Sequence, residues 1–119
     1  MPTTQHNAPS VLQISGKELA LDAEGFLRNM TDWSPQAAEL LAQNEQIDLT
    51  ADHFEIIYLL REFYLKYELS PAMRILVKQV KLELGKDKAS SIYLMKLFPG
   101  SPAKIASKIA GLPKPTNCL

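Results

Sequence analysis

The residue best suited to chemistry is Cys118, the only cysteine in the 119-residue chain, set in the closing stretch Gly111-Leu-Pro-Lys-Pro-Thr-Asn-Cys-Leu. A thiolate attacks sulfur centres and can hold an added sulfur reversibly as a persulfide. Pro113 and Pro115 fix φ near −65° and remove two backbone donors, so the stretch cannot finish as a helix or a central strand. A short extended arm is expected. At the polyproline rise of about 3.1 Å per residue, its thiol would reach roughly 20 Å from Gly111, enough to enter the active site of another protein.

An ordinary cysteine thiol, with a pKa of about 8.5, is only a few per cent thiolate at neutral pH. The carboxylate expected at Leu119 would oppose ionisation further, and Lys114 stands four residues away on an extended arm. Activation must then come from a cation on the body or on a partner. Arg74 is one candidate, because it sits in the first turn of an expected helix, where a cation opposes the dipole. Lys114 and the other carboxyl-terminal lysines are further candidates. No internal base is assigned, which favours a carrier over a self-sufficient enzyme.

Composition narrows the alternatives. One cysteine excludes an internal disulfide framework and a cysteine-rich metal site. His6 and His53 lack metal-ligand spacing, so neither a metal nor a cofactor is expected. A formal net charge of zero argues against a general nucleic-acid coat. Acids outnumber bases between Glu18 and Glu68, whereas Lys88 to Leu119 holds five lysines and no acid, so a basic carboxyl-terminal third is expected. Lysines solvating a helix face are the ordinary meaning of such a run. No apolar run approaches the roughly 20 residues of a membrane span. No basic-then-apolar signal pattern opens the chain, and a cytoplasmic protein with a reduced thiol is expected.

The elements that must position the arm come next. With 46% hydrophobic and 22% charged residues, the chain reads as one globular domain. Residues 1–10 read as a disordered tail, 11–110 as the domain and 111–119 as the mobile arm. Alternation of Leu12 and Ile14 with Leu19 and Leu21 about Ser15-Gly16-Lys17 predicts a β-hairpin with those four side chains inward. Gly25-Phe26-Leu27 predicts a second turn. Ser34-Pro35 opens a first helix to about Asn44, with Trp33 as a packing anchor. Thr50 caps a second, apolar nearly all round from Phe54 to Tyr67 and therefore expected to be central. Ser70-Pro71 opens a third, with Met73, Leu76, Val77, Val80 and Leu84 as its buried stripe and Gly85 as its stop. A fourth runs from Lys88 to Leu97. Ser101-Pro102 opens a fifth, with Lys104 and Lys108 toward solvent. The fold class is mainly α with a small amino-terminal β-hairpin.

The segment Lys108-Ile-Ala-Gly-Leu-Pro-Lys-Pro-Thr-Asn-Cys118-Leu119 closely resembles the carboxyl terminus of the TusE/DsrC family. Leu97-Phe-Pro, Tyr93-Leu94, Ser70-Pro-Ala-Met-Arg-Ile-Leu-Val-Lys78, Gly25-Phe-Leu27 and Trp33-Ser34 resemble it too, so the likeness runs from about Leu12 onward. It implies a winged-helix-like helical body and a mobile arm whose penultimate cysteine, here Cys118, is reactive. It also implies an arginine near the docked arm, which raises Arg74 as a cysteine partner. Members that serve sulfite reduction or sulfur oxidation carry a second cysteine where this chain has Ser107. A single cysteine resembles the branch that serves a sulfur relay for tRNA wobble-uridine 2-thiolation, which implies a TusBCD-like donor complex and an MnmA-like thiouridylase, with tRNA nearby, as partners. Single-cysteine paralogues with a regulatory role share the pattern.

Two other readings stand beside the carrier. In one, the second and third helices form a helix–turn–helix DNA-binding regulator, presenting Arg74, Lys78, Gln79 and Lys81; zero net charge weakens it. In the other, the arm is an adaptor that docks without sulfur chemistry.

Overall fold

The computed structural model describes residues 10–116. Residues 1–9 of the expected 1–10 tail, and Cys118 itself, lie outside the described residues. Among these, the chain forms a two-stranded antiparallel hairpin followed by five α-helices.

Strands β1 (Val11–Ile14) and β2 (Lys17–Ala20) pair with Leu12 opposite Leu19. The turn holds two residues, Ser15 and Gly16, both at positive φ (50° and 77°), the backbone that matches the twist of the flanking strands. Leu12, Leu19 and Leu21 are buried and Ile14 is half-buried, as the alternation requires. Two strands are marginal alone, so this apolar face must lie on helices. The second turn also forms. Asp22 Oδ1 accepts from the amides of Glu24 and Phe26, and Leu21 bridges Leu27, which buries Phe26 and Leu27.

Helix α1 (Pro35–Asn44) starts where Ser34 Oγ accepts from the Ala37 amide, with Pro35 at the first helical position. Helix α2 (Ala51–Tyr67) starts at Thr50, whose amide donates to His53 Nδ1. The other ring nitrogen of His53, Nε2, lies 2.8 Å from the Leu97 carbonyl oxygen, so it carries the proton and donates. Both nitrogens are spent on tying the start of α2 to the end of α4 (Ser91–Leu97). His53 is a core residue.

Four expectations change. Helix α3 (Met73–Leu84) begins two residues beyond Pro71, with Ala72 at its cap, because Ser70 is engaged elsewhere. Helix α4 begins at Ser91, because Ser90 Oγ accepts from the Tyr93 amide; Lys86–Lys88 forms a separate 3-10 turn. Helix α2 is not central, since Tyr58, Leu65 and Tyr67 are exposed. That place belongs to α5 (Pro102–Ile109), which touches α1, α2, α3 and α4. Small Ala103, Ala106 and Ser107 let neighbouring helices approach it from several sides. Finally, Lys108 is buried rather than solvated. Its ammonium pairs with Glu45 at 2.9 Å and lies 5.2 Å from the Phe26 ring centre.

The stripe on α3 is as expected, with Leu76 and Val80 fully buried and Met73, Val77 and Leu84 packed at its margin. Gly85, at φ 97°, ends it.

Candidate functional site

Cys118 lies outside the described residues, so the site is built from the arm up to Thr116 and from what that arm touches. Its root is the end of α5. Gly111 takes φ 73°, and a β-carbon there would stand 2.5 Å from Cδ1 of Trp33. Only glycine fits both the backbone and the space. The Gly111 amide donates to Lys108 O and the Leu112 amide to Ser107 O, which closes the helix in a left-handed turn. Leu112 then plugs into the core at 1% exposure.

The arm continues along the body instead of leaving it at Gly111. Ser70 Oγ donates to Pro113 O at 2.5 Å. Lys114 Nζ reaches both carboxylate oxygens of Glu24 at 3.2 Å. Pro115 is buried. A shallow pocket between arm and body is lined by Tyr64, Glu68, Leu69, Ser70, Lys114 and Thr116. Up to Thr116 the arm therefore keeps to the body, because Leu112 and Pro115 gain more by burial than an extended arm gains in freedom.

The electrostatics also depart from expectation. Of the five lysines from Lys88 onward, four are paired with acids: Lys88 with Glu55 and Asp52, Lys104 and Lys114 with Glu24, and Lys108 with Glu45. The basic third folds onto the acidic body and is largely neutralised there. Glu24 is held below the usual glutamate pKa, chiefly by the hydrogen bond from Lys114. Lys88 is raised, chiefly by the hydrogen bond it donates to Glu55. Lys114 is thus committed to a carboxylate. Arg74 is exposed in the first turn of α3 and makes no ion pair among the described residues; it does not line the pocket beside the arm. The structure brings Lys114 onto the arm's track and leaves Arg74 off its described part. On α3, Lys78 and Lys81 are exposed like Arg74.

Sequence reasoning missed Arg61. It lies on α2, donates from Nη1 to Ala110 O at 2.7 Å and stacks 4.1 Å from the Trp33 ring centre. Burial pushes its pKa down, with a smaller opposing effect from Tyr58. The signal was present: Arg61 is the one cation within Phe54–Tyr64, a stretch otherwise rich in apolar side chains. Trp33 does more than pack. Its Nε1 donates to Ile109 O at 2.9 Å. Ser107 is fully buried in α5, and its hydroxyl has no partner among the described residues. Among those residues no group of His, Cys, Asp and Glu side chains could hold a metal ion. None of the helices there is long and apolar enough to cross a membrane.

The family model described as DsrC like protein matches residues 13–119. Sulfurtransferase TusE of Salmonella typhimurium is 49% identical over 92% of this chain and 100% of its own length. Two solved structures share the fold. The solution structure of Allochromatium vinosum DsrC is 46% identical with a TM-score of 0.85, covering 92% of this chain and 98% of that one. The oxidised gamma subunit of dissimilatory sulfite reductase (DsrC) from Archaeoglobus fulgidus is 44% identical with a TM-score of 0.80, covering 92% and 99%. With a matching family model over nearly all of its length and relatives this similar, the chain belongs to the family of DsrC-like proteins.

Proposed function

We propose that this protein is a sulfur carrier whose reactive group is Cys118. The observation that carries the reading is near-half identity, along almost the whole length, to proteins named Sulfurtransferase TusE. The chain's one thiol stands two residues beyond Thr116, at the end of a segment rooted by Gly111. In the transfer, the Cys118 thiolate attacks the outer sulfur of a donor persulfide. The new S–S bond forms as the donor's own S–S bond breaks, and the donor leaves as a thiolate. Cys118 then holds the outer sulfur as a persulfide until an acceptor takes it.

Nothing on the arm up to Thr116 is free to activate the thiol, because Lys114 is held by Glu24. A cation or base from the donor or acceptor supplies that step, or Arg74, exposed on α3, supplies it from this chain. A TusBCD-like complex as donor and an MnmA-like tRNA thiouridylase as acceptor fit this reading. Cys118 takes the sulfur from the one and yields it to the other. Serine at position 107 favours the single-sulfur carrier over the sulfite-metabolism branch, since a lone thiol cannot close a disulfide within the arm.

Mass spectrometry after treatment with inorganic polysulfide tests the reading. One added sulfur mass is expected on the wild-type protein and none on Cys118→Ser. Uptake by the serine variant would sink the assignment. Cells lacking the gene are expected to contain less 2-thiouridine in tRNA; unchanged levels would favour the sulfite-metabolism branch.

A further inference from the structure

The last carbonyls of an α-helix have no partner inside it and usually meet water. At the end of α5 they meet side chains instead. Ile109 O accepts from Trp33 Nε1 at 2.9 Å, and Ala110 O from Arg61 Nη1 at 2.7 Å. One turn further on, Pro113 O accepts from Ser70 Oγ at 2.5 Å. The three donors come from three places: the residue before the α1 cap, the middle of α2, and the α2–α3 connection. Trp33 and Arg61 also brace each other, the guanidinium lying 4.1 Å from the indole ring centre. Gly111 sits against the same indole with no room for a β-carbon.

This arrangement is more than a seal. An apolar side chain could cover a helix end without burying a cation, and Arg61 has no carboxylate partner among the described residues. Directional donors on carbonyls either side of Gly111 and Leu112 do something an apolar plug cannot. They fix the course of the backbone.

We propose that Trp33, Arg61 and Ser70 are positioning residues for Cys118, which set the direction in which the arm leaves the body by holding the carbonyls of Ile109, Ala110 and Pro113. None of them touches the sulfur; each acts through the arm's backbone. The use of that direction rests on the sulfur-carrier reading, whereas the direction itself does not.

Trp33 is the only tryptophan and Cys118 the only cysteine, so energy transfer from Trp33 to a dansyl group on Cys118 reports the arm's course directly. Unlabelled copies of each variant correct for changes in Trp33 emission. Wild type is expected to give one narrow distance distribution. In Arg61→Gln and in Ser70→Ala a second, broader population is expected, with the held-to-released ratio lowered about fivefold for one lost hydrogen bond. Arg61→Lys keeps a charged donor and is expected to recover most of the narrow population, which a purely structural role would not predict. Folded Arg61→Gln and Ser70→Ala proteins with the wild-type distribution would overturn the proposal. If Arg61→Gln does not fold, Ser70→Ala decides it, since that change removes only a hydroxyl. Polysulfide uptake is read on the unlabelled copies, in which the Cys118 thiol is free to react. A wild-type protein that takes up no sulfur removes the carrier reading, while the distance distributions still decide the positioning role.

Discussion

Helices α3 and α5 each have a Ser-Pro pair at or just before their start and each carry cations, yet the fold treats them oppositely. In α5, Pro102 occupies the first helical turn, six of eight residues are buried, and Lys104 and Lys108 both meet carboxylates. In α3, Pro71 lies outside the helix, two of twelve residues are fully buried, and Arg74, Lys78 and Lys81 remain exposed. The difference lies in what each Ser-Pro pair faces. At Ser101-Pro102 the proline is buried, the serine stays exposed with no cap hydrogen bond, and the pair simply starts a helix. Ser70-Pro71 faces the returning arm, and its hydroxyl is taken by Pro113. The same local signal thus serves as a start in one place and as a clasp in the other. The interior helix anchors the arm, and the outer one keeps its cations in solvent.

Substitutions can break or sharpen this contrast. The largest effect is expected at the root of the arm. Gly111→Ala forces a β-carbon into the Trp33 indole and a non-glycine residue into positive φ, and should cost about 3 kcal/mol in urea unfolding. Next comes Lys108→Ala, which leaves Glu45 half-buried without its partner. About 2 kcal/mol is expected, below the range for a fully buried pair because Glu45 keeps some access to water. Ser107→Ala should run the other way. It removes a buried hydroxyl that has no partner among the described residues and adds the best helix former, so thermal unfolding should show a gain of about 1 kcal/mol. On α3, Lys78→Ala should stay within about 0.5 kcal/mol of wild type; a larger loss would break the contrast outright.

Acid provides the gentlest probe. Glu24 has a lowered pKa in the folded protein, chiefly through Lys114. Its contribution is therefore complete above the ordinary glutamate pKa and is lost as pH falls through the lowered value. Fluorescence anisotropy of a label on Cys118 should drop over that acidic window and not at neutral pH. Glu24→Gln should show the low value throughout. A drop centred near neutral pH would mean that another group holds the arm.

Much of this fold was legible because its signals are local. The Ser15-Gly16 turn, the Ser34 cap, the Leu76–Val80 stripe and the Gly111 stop all act within a few residues, so periodicity and cap chemistry find them. Helix α2 misled because apolar count does not distinguish a core helix from one that keeps Tyr58, Leu65 and Tyr67 at the surface. Ser70 misled because its partner is 43 residues away. Lys108 misled because the face opposite α5's stripe looks solvated until α1 brings Glu45 across it, 63 residues distant.

The sequence alone determined where a thiol can act and which family the chain resembles: one cysteine beyond two prolines, in a distinctive terminal segment. The course of that arm was decided only by tertiary structure. Trp33, Arg61, Ser70 and Glu24 reach it from separate parts of the chain, and each gains a hydrogen bond whose partner no short window of sequence contains. Chemistry can be read from a residue's type, whereas direction depends on contacts that exist only once the chain has folded.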